Sequence, residues 1–113
     1  INSNNNPRSL SYNFAYNRQI MKASEELLKH IGKRTVKYVQ IDYDDWDHTE
    51  HIEGTLEQVL PQLNFHYDDG YDSQHIFGTI WYTDGTWSER DAYDGSEWWV
   101  YRKCPSLPEG ISL

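Results

Sequence analysis

The sequence has one cysteine, Cys104, so no disulfide can close within the chain and nothing points to an oxidising compartment. It has no apolar run near the roughly 18 residues of a membrane span. No signal peptide is visible; the chain begins with Ile1, not methionine, which leaves a removed targeting segment open. Hydrophobic residues are only 37% of 113 and the mean hydropathy is −0.87, so a large aliphatic core is not expected. Aromatic residues are the exception at 15%. That content argues against intrinsic disorder and predicts a modest, aromatic-rich core. The most telling shortage is of positive charge in one region. Residues 38–101 hold fifteen acidic residues and one basic residue, Arg90, for a net charge of −14, whereas residues 1–37 are net +5 and the whole chain is −8. An acidic body of this kind repels polyanions, which argues against DNA or RNA as a direct ligand, and attracts cationic surfaces.

What is present is concentrated between residues 75 and 103, which hold four of the five tryptophans. Ile76 to Thr83 is β-branched or aromatic and suits a pleated surface. Asp84-Gly85 and Asp94-Gly95 follow as type I′ hairpin turns, giving three strands. Strand alternation puts Phe77, Thr79 and Trp81 on one face and Ile76, Gly78, Ile80 and Tyr82 on the other, and it sends Trp98 and Trp99 to opposite faces. A helix covering one side would leave the other for binding, although most of these aromatics are expected in the core.

Before this region, residues 1–17 read as a flexible arm, and residues 18–113 as a single domain. Ile20, Leu27, Leu28 and Ile31 predict a long helix from Arg18 to Ile31, with Asn17 as N-cap and Gly32 at its end. Thr35 to Tyr43 reads as a strand. The run 42–53 has six acidic residues in twelve and reads as a strand end followed by an acidic loop. Thr55-Leu-Glu-Gln58 has capping-box spacing ahead of a short helix that Pro61 ends or reshapes. Residues 64–73 read as a second acidic loop. The predicted fold is α+β: an antiparallel sheet of about four strands carrying one long N-terminal helix and one short helix.

No catalytic motif stands out. His48 and His51, with Asp44, Asp45, Asp47 and Glu50, are the residue types that hold divalent ions. The order His-Thr-Glu-His fits neither zincin spacing, however, and Asp68-Asp-Gly-Tyr-Asp lacks the EF-hand register. No metal, cofactor or enzymatic activity is expected; a small hydrolase, or a carbohydrate-binding protein using Trp81, Trp87, Trp98 or Trp99, is a third-ranked alternative. Charge favours recognition of a basic protein instead. The candidate contact residues are Asp42, Asp44, Asp45, Asp47, Glu50 and Glu53 on one side and Asp68, Asp69 and Asp72 on another. Spaced carboxylates among aromatics can imitate a nucleic acid. The other account of the acidity is simple solubility, in a structural or regulatory interaction module.

The run Gly78-Thr-Ile-Trp-Tyr-Thr-Asp-Gly-Thr-Trp-Ser-Glu-Arg90, with Tyr93-Asp-Gly-Ser-Glu-Trp-Trp99 and Pro105-x-x-Pro108, resembles small proteins of bacteriophages and other mobile elements. The resemblance covers about residues 66–109 and carries no catalytic residues. It implies a setting in the cytoplasm of a bacterial host. There, short phage proteins often inhibit a restriction enzyme, a CRISPR effector or a transcription factor, and acidic nucleic-acid mimics are common among them. The expected partner is thus a basic, nucleic-acid-binding host protein, engaged by a monomer or homodimer.

Overall fold

The computed structural model describes residues 19–45, 47–69 and 73–110. Seven strands and two short α-helices are found among them, in the order β1 (Gln19–Lys22), α1 (Ala23–Ile31), β2 (Val36–Asp45), β3 (His48–Gly54), α2 (Leu56–Val59), a 3₁₀ turn (Leu60–Leu63), β4 (His66–Asp69), β5 (Ile76–Tyr82), β6 (Trp87–Tyr93) and β7 (Ser96–Arg102). The strands form a five-stranded sheet, β3-β2-β5-β6-β7, and a two-stranded sheet, β1-β4. All pairings are antiparallel. The protein is therefore mostly β, which overturns the expectation of about four strands with a long helix.

The helix is shorter than its apolar stripe predicts because residues 19–22 are taken up by a distant strand partner. They pair backbone to backbone with β4, from Gln19 opposite Asp69 to Lys22 opposite His66. The ladder runs on into a bond from Ala23 N to Phe65 O at 2.9 Å. The helix then starts at Ala23 with no side-chain cap; Asn17 and the predicted arm lie outside the described residues. Ala23, Leu27 and Ile31, four apart, make its buried face, and Leu28 points outward. Gly32 ends the helix at φ 60° as predicted, with its N–H bonded to Leu28 O. The capping box also holds: Gln58 N donates to Thr55 Oγ1, and Thr55 N to Gln58 Oε1.

The core lies between the inner face of the large sheet and the helices. Its members are chiefly aliphatic: Leu27, Ile31, Val39, Ile41, Ile52, Val59, Leu63, Ile76 and Ile80, joined by Tyr67, Tyr82 and Trp99. The predicted aromatic-rich core is thus a correction. Among the described residues only one face of the sheet is covered, so the outward-pointing aromatics of alternating strands stay at the surface of this part.

The two Asp-Gly turns differ. Asp94 (φ 53°) and Gly95 (φ 88°) are both left-handed, as a type I′ turn requires. At the first turn only Gly85 is left-handed (φ 89°). Tyr82 N bonds to Thr86 O at 2.9 Å and Gly85 N to Tyr82 O at 3.3 Å, closing a longer loop over residues 83–85. Asp84 Oδ1 accepts from Thr86 N at 3.0 Å and from Thr86 Oγ1 at 2.5 Å. A Cβ at Gly85 meets nothing within 4 Å, so Gly85→Val tests backbone conformation alone. It should cost about 1–3 kcal/mol, read as a lower urea midpoint at unchanged slope; an unshifted midpoint would refute the turn assignment.

Candidate functional site

Strand parity builds the candidate site directly. Pairing sets Tyr38, Gln40 and Asp42 of β2 beside Trp81, Thr79 and Phe77 of β5, and Gln40, Asp42 and Asp44 beside Glu53, His51 and Thr49 of β3. On the other flank Thr79 lies beside Glu89 and Trp81 beside Trp87 of β6, and Asp91 beside Trp98 of β7. These residues form the outer face of the five-stranded sheet. None belongs to the buried core, and no described helix packs on it. Phe77 is 42% exposed, Trp81 37% and Trp98 39%.

Two shallow depressions mark this face. One, of about 290 Å³, is lined by Asp42, Tyr43, Asp44, Thr49, Glu50, His51 and Phe77. The other, of about 380 Å³, is lined by Lys37, Tyr38, Trp81, Tyr82, Thr83, Gly85 and Thr86. Lys37 borders it because the β2–β5 register shifts between Val36 and Tyr38.

A hydrogen-bond chain crosses the acidic end. Tyr38 Oη donates to Glu53 Oε2 at 2.6 Å. His51 contacts Asp42 Oδ1 through Nδ1 at 2.6 Å and Glu53 Oε1 through Nε2. An imidazole that donates from both nitrogens carries the extra proton. The bonds to Glu53 and then Asp42 accordingly raise the His51 pKa above 6.5. The bonds from Tyr38 and His51 hold the Glu53 carboxyl below its usual range. The His51 contribution to stability is full below pH 6.5 and disappears as pH rises through the higher folded value.

The opposite face carries a buried polar cluster. Arg90 and Glu97 side chains are each 1% exposed, with Arg90 Nη2 3.0 Å from Glu97 Oε1. Arg90 Nη1 lies 3.0 Å from Glu26 Oε2 and forms a second ion pair. Its guanidinium sits 5.4 Å from the Tyr67 ring centre and 5.2 Å from that of Trp99. Glu97 also accepts from His75 N at 2.7 Å and Ile76 N at 2.9 Å, tying the start of β5 to β7 across β6. Nearby, Ser88 Oγ bonds to His30 Nε2 at 2.7 Å and to Tyr82 Oη at 2.7 Å. The pair has the residue types of a nucleophile and its base, but Ser88 is 0% exposed and no substrate atom can reach it. Burial, with Arg34 and Arg90 nearby, lowers the His30 pKa. Unlike His51, His30 therefore weakens the fold as pH falls below 6.5.

The structure separates the nine acidic residues chosen from the sequence. Asp42, Asp44 and Glu53 share the outer face. Asp45 turns to the other side of the hairpin, where Tyr43 Oη donates to it at 3.4 Å. Glu50 takes the same parity as Ile52 and pairs with His48 at 3.3 Å. Asp47 lies in the turn. The run 42–53 is thus a β-hairpin, not a loop. Asp68 and Asp69 belong to β4, opposite Ile20 and Gln19 in the smaller sheet, and Asp72 is outside the described residues. No sequence motif marks Tyr38 or Glu89 as site residues, and Arg90 stands out in the sequence only as the single Lys or Arg of an acidic stretch.

Among the described residues no group of three or more His, Cys, Asp or Glu is arranged to hold a metal ion. No described helix is long and apolar enough to cross a membrane. No family model, curated protein or solved structure matches the chain. The face is therefore read from its own geometry.

Proposed function

We propose that the protein is a non-enzymatic binding protein whose acidic sheet face engages a cationic protein surface. The partner class is a nucleic-acid-binding host protein, such as a restriction, CRISPR or transcription factor, and the protein acts as its inhibitor. The phage or mobile-element setting is part of the same proposal and rests on the motif resemblance alone. One observation carries the reading. Arg90 is the only basic residue between 38 and 101, and its side chain is 1% exposed. This segment therefore presents outward carboxylates with no Lys or Arg of its own among them. Such a surface accelerates encounter with a positive partner and disfavours nucleic acid itself.

The test is capture from bacterial lysate at low and high salt, followed by affinity measurement on the captured protein. Ionic contacts weaken as salt rises, and DNA or RNA should compete. Asp42→Asn with Asp44→Asn should weaken binding about tenfold, or about 1.4 kcal/mol, with at most a small shift in thermal midpoint from loss of the exposed Asp42–His51 pair. A partner indifferent to salt, to nucleic acid and to both substitutions would refute the proposal. A second reading, carbohydrate binding, is favoured by the Trp81–Tyr38 depression, whose ring centres lie 6.2 Å apart. It predicts binding that salt leaves unchanged.

A further inference from the structure

The outer face is not uniformly acidic; its charges are arranged in lanes. The middle strand, β5, points Phe77, Thr79 and Trp81 outward and carries no charged residue there. On one side β2 presents Asp42 and Asp44; on the other β6 presents Glu89 and Asp91. Two cations lie toward the Trp81 end. One is Lys37. The other is Arg102, beside Trp87, whose Nε is 3.6 Å from Glu89 Oε1. Asp42 and Asp44, with no Lys or Arg beside them, therefore lie toward Phe77. There His51, itself bonded to Asp42 and Glu53, already shows a cation seated between carboxylates of two strands.

Building on the cationic-partner reading, we propose that the aromatic lane of β5 docks one amphipathic, basic α-helix of the partner, its apolar stripe on Phe77 and Trp81 and its Lys and Arg side chains over the acidic strands on either side. The dimensions fit. Neighbouring strands are about 4.8 Å apart, so β2 and β6 stand roughly 10 Å apart across β5 where both ladders run, at residues 79–81. A helix with its side chains is about 10–12 Å wide. Phe77 and Trp81 are four residues apart, roughly 13 Å along a strand, the length of about two and a half helical turns. Long basic side chains lay their methylene stems on apolar surface while their heads reach outward to charge. An apolar stripe flanked by cations is thus the complement of this face. An extended strand is a poorer fit, because its side chains on one face form a single row and cannot reach both acidic shoulders.

The test uses the full chain and three labelled synthetic peptides. One is a helix-forming peptide with leucine along one stripe and arginine on both flanks. The second is its shuffled isomer, and the third is oligoarginine of equal charge. Fluorescence anisotropy should show the amphipathic peptide binding at least about tenfold more tightly than either control. Phe77→Ala with Trp81→Ala should remove that preference. Thr79→Lys, which places a cation mid-lane on a half-buried, outward-facing position, should weaken the amphipathic peptide even if the alanine pair proves unstable. Equal binding of all three peptides, lost with Asp42→Asn and Asp44→Asn but not with the lane variants, would overturn the helix proposal and leave the cationic-partner reading standing. Binding that ignores the aspartate substitutions and salt would overturn both. A peptide-free chain that sediments as a dimer, and becomes a monomer on Phe77→Ala with Trp81→Ala, would assign the lane to a second copy and overturn the proposal.

Discussion

Arg90→Met should lower stability by about 3–5 kcal/mol, the loss expected when one partner of a buried ion pair is removed and the other is left behind. The size follows from what surrounds the guanidinium. Glu97 is 1% and Glu26 13% exposed, so neither carboxylate can recover by hydration. Methionine restores much of the volume against Tyr67 and Trp99, which isolates charge from packing. Equilibrium urea unfolding should show a large fall in midpoint with an unchanged slope. Adding Glu26→Gln and Glu97→Gln to the same chain should recover part of the loss, because neutral amides leave no buried charge. A loss below about 1 kcal/mol for the single substitution would mean that water reaches the cluster.

Gly78→Ala should be costly for a different reason. Gly78 lies in the middle of β5 with Ile41 as its neighbour on β2. An added Cβ would fall 2.3 Å from Gln40 O and 3.1 Å from both Ile41 Cα and Ile41 Cγ1. Two of those atoms are backbone, so relief requires β2 and β5 to move apart rather than one side chain to rotate. A loss at the upper end of about 1–3 kcal/mol is expected. Amide hydrogen exchange should speed up locally at the β2–β5 ladder. Native-like protection there, with an unchanged urea midpoint, would show that the two strands absorb a methyl group freely.

The part of the fold that was legible in the sequence is the part whose residues argue for themselves. β5 and β7 are aromatic or β-branched runs, and glycine at 85 and 95 marks their hairpins whatever surrounds them. Gly32 and the Thr55–Gln58 box likewise act within a few residues of chain. β1, β3 and β4 were missed because their strand character is supplied by partners. β3 reads His-Thr-Glu-His-Ile-Glu-Gly with only Ile52 and Gly54 buried, and β4 reads His-Tyr-Asp-Asp with Tyr67 in the core. The same gap blurred the site. With 42–53 read as a loop, no parity could be assigned, and Asp45 and Glu50 stood with Asp42 and Asp44 when they occupy the other face. Arg90 was noted for its charge; its burial depends on Glu26, Tyr67 and Glu97, which come from three separate elements.

The polar make-up that hid β3 has a use of its own. Among the described residues β3 is an outermost strand of the large sheet, and no described strand pairs with its free side. An apolar strand there would invite a neighbouring molecule to add on and extend the sheet indefinitely. Glu50 and His48 sit at positions whose parity is that of the core-facing Ile52, yet they are exposed. Any chain stacking against this edge in register would have to desolvate them. The strand least recognisable from sequence is thus the one that resists fibrous self-association in a protein that also exposes Phe77, Trp81, Tyr93 and Trp98.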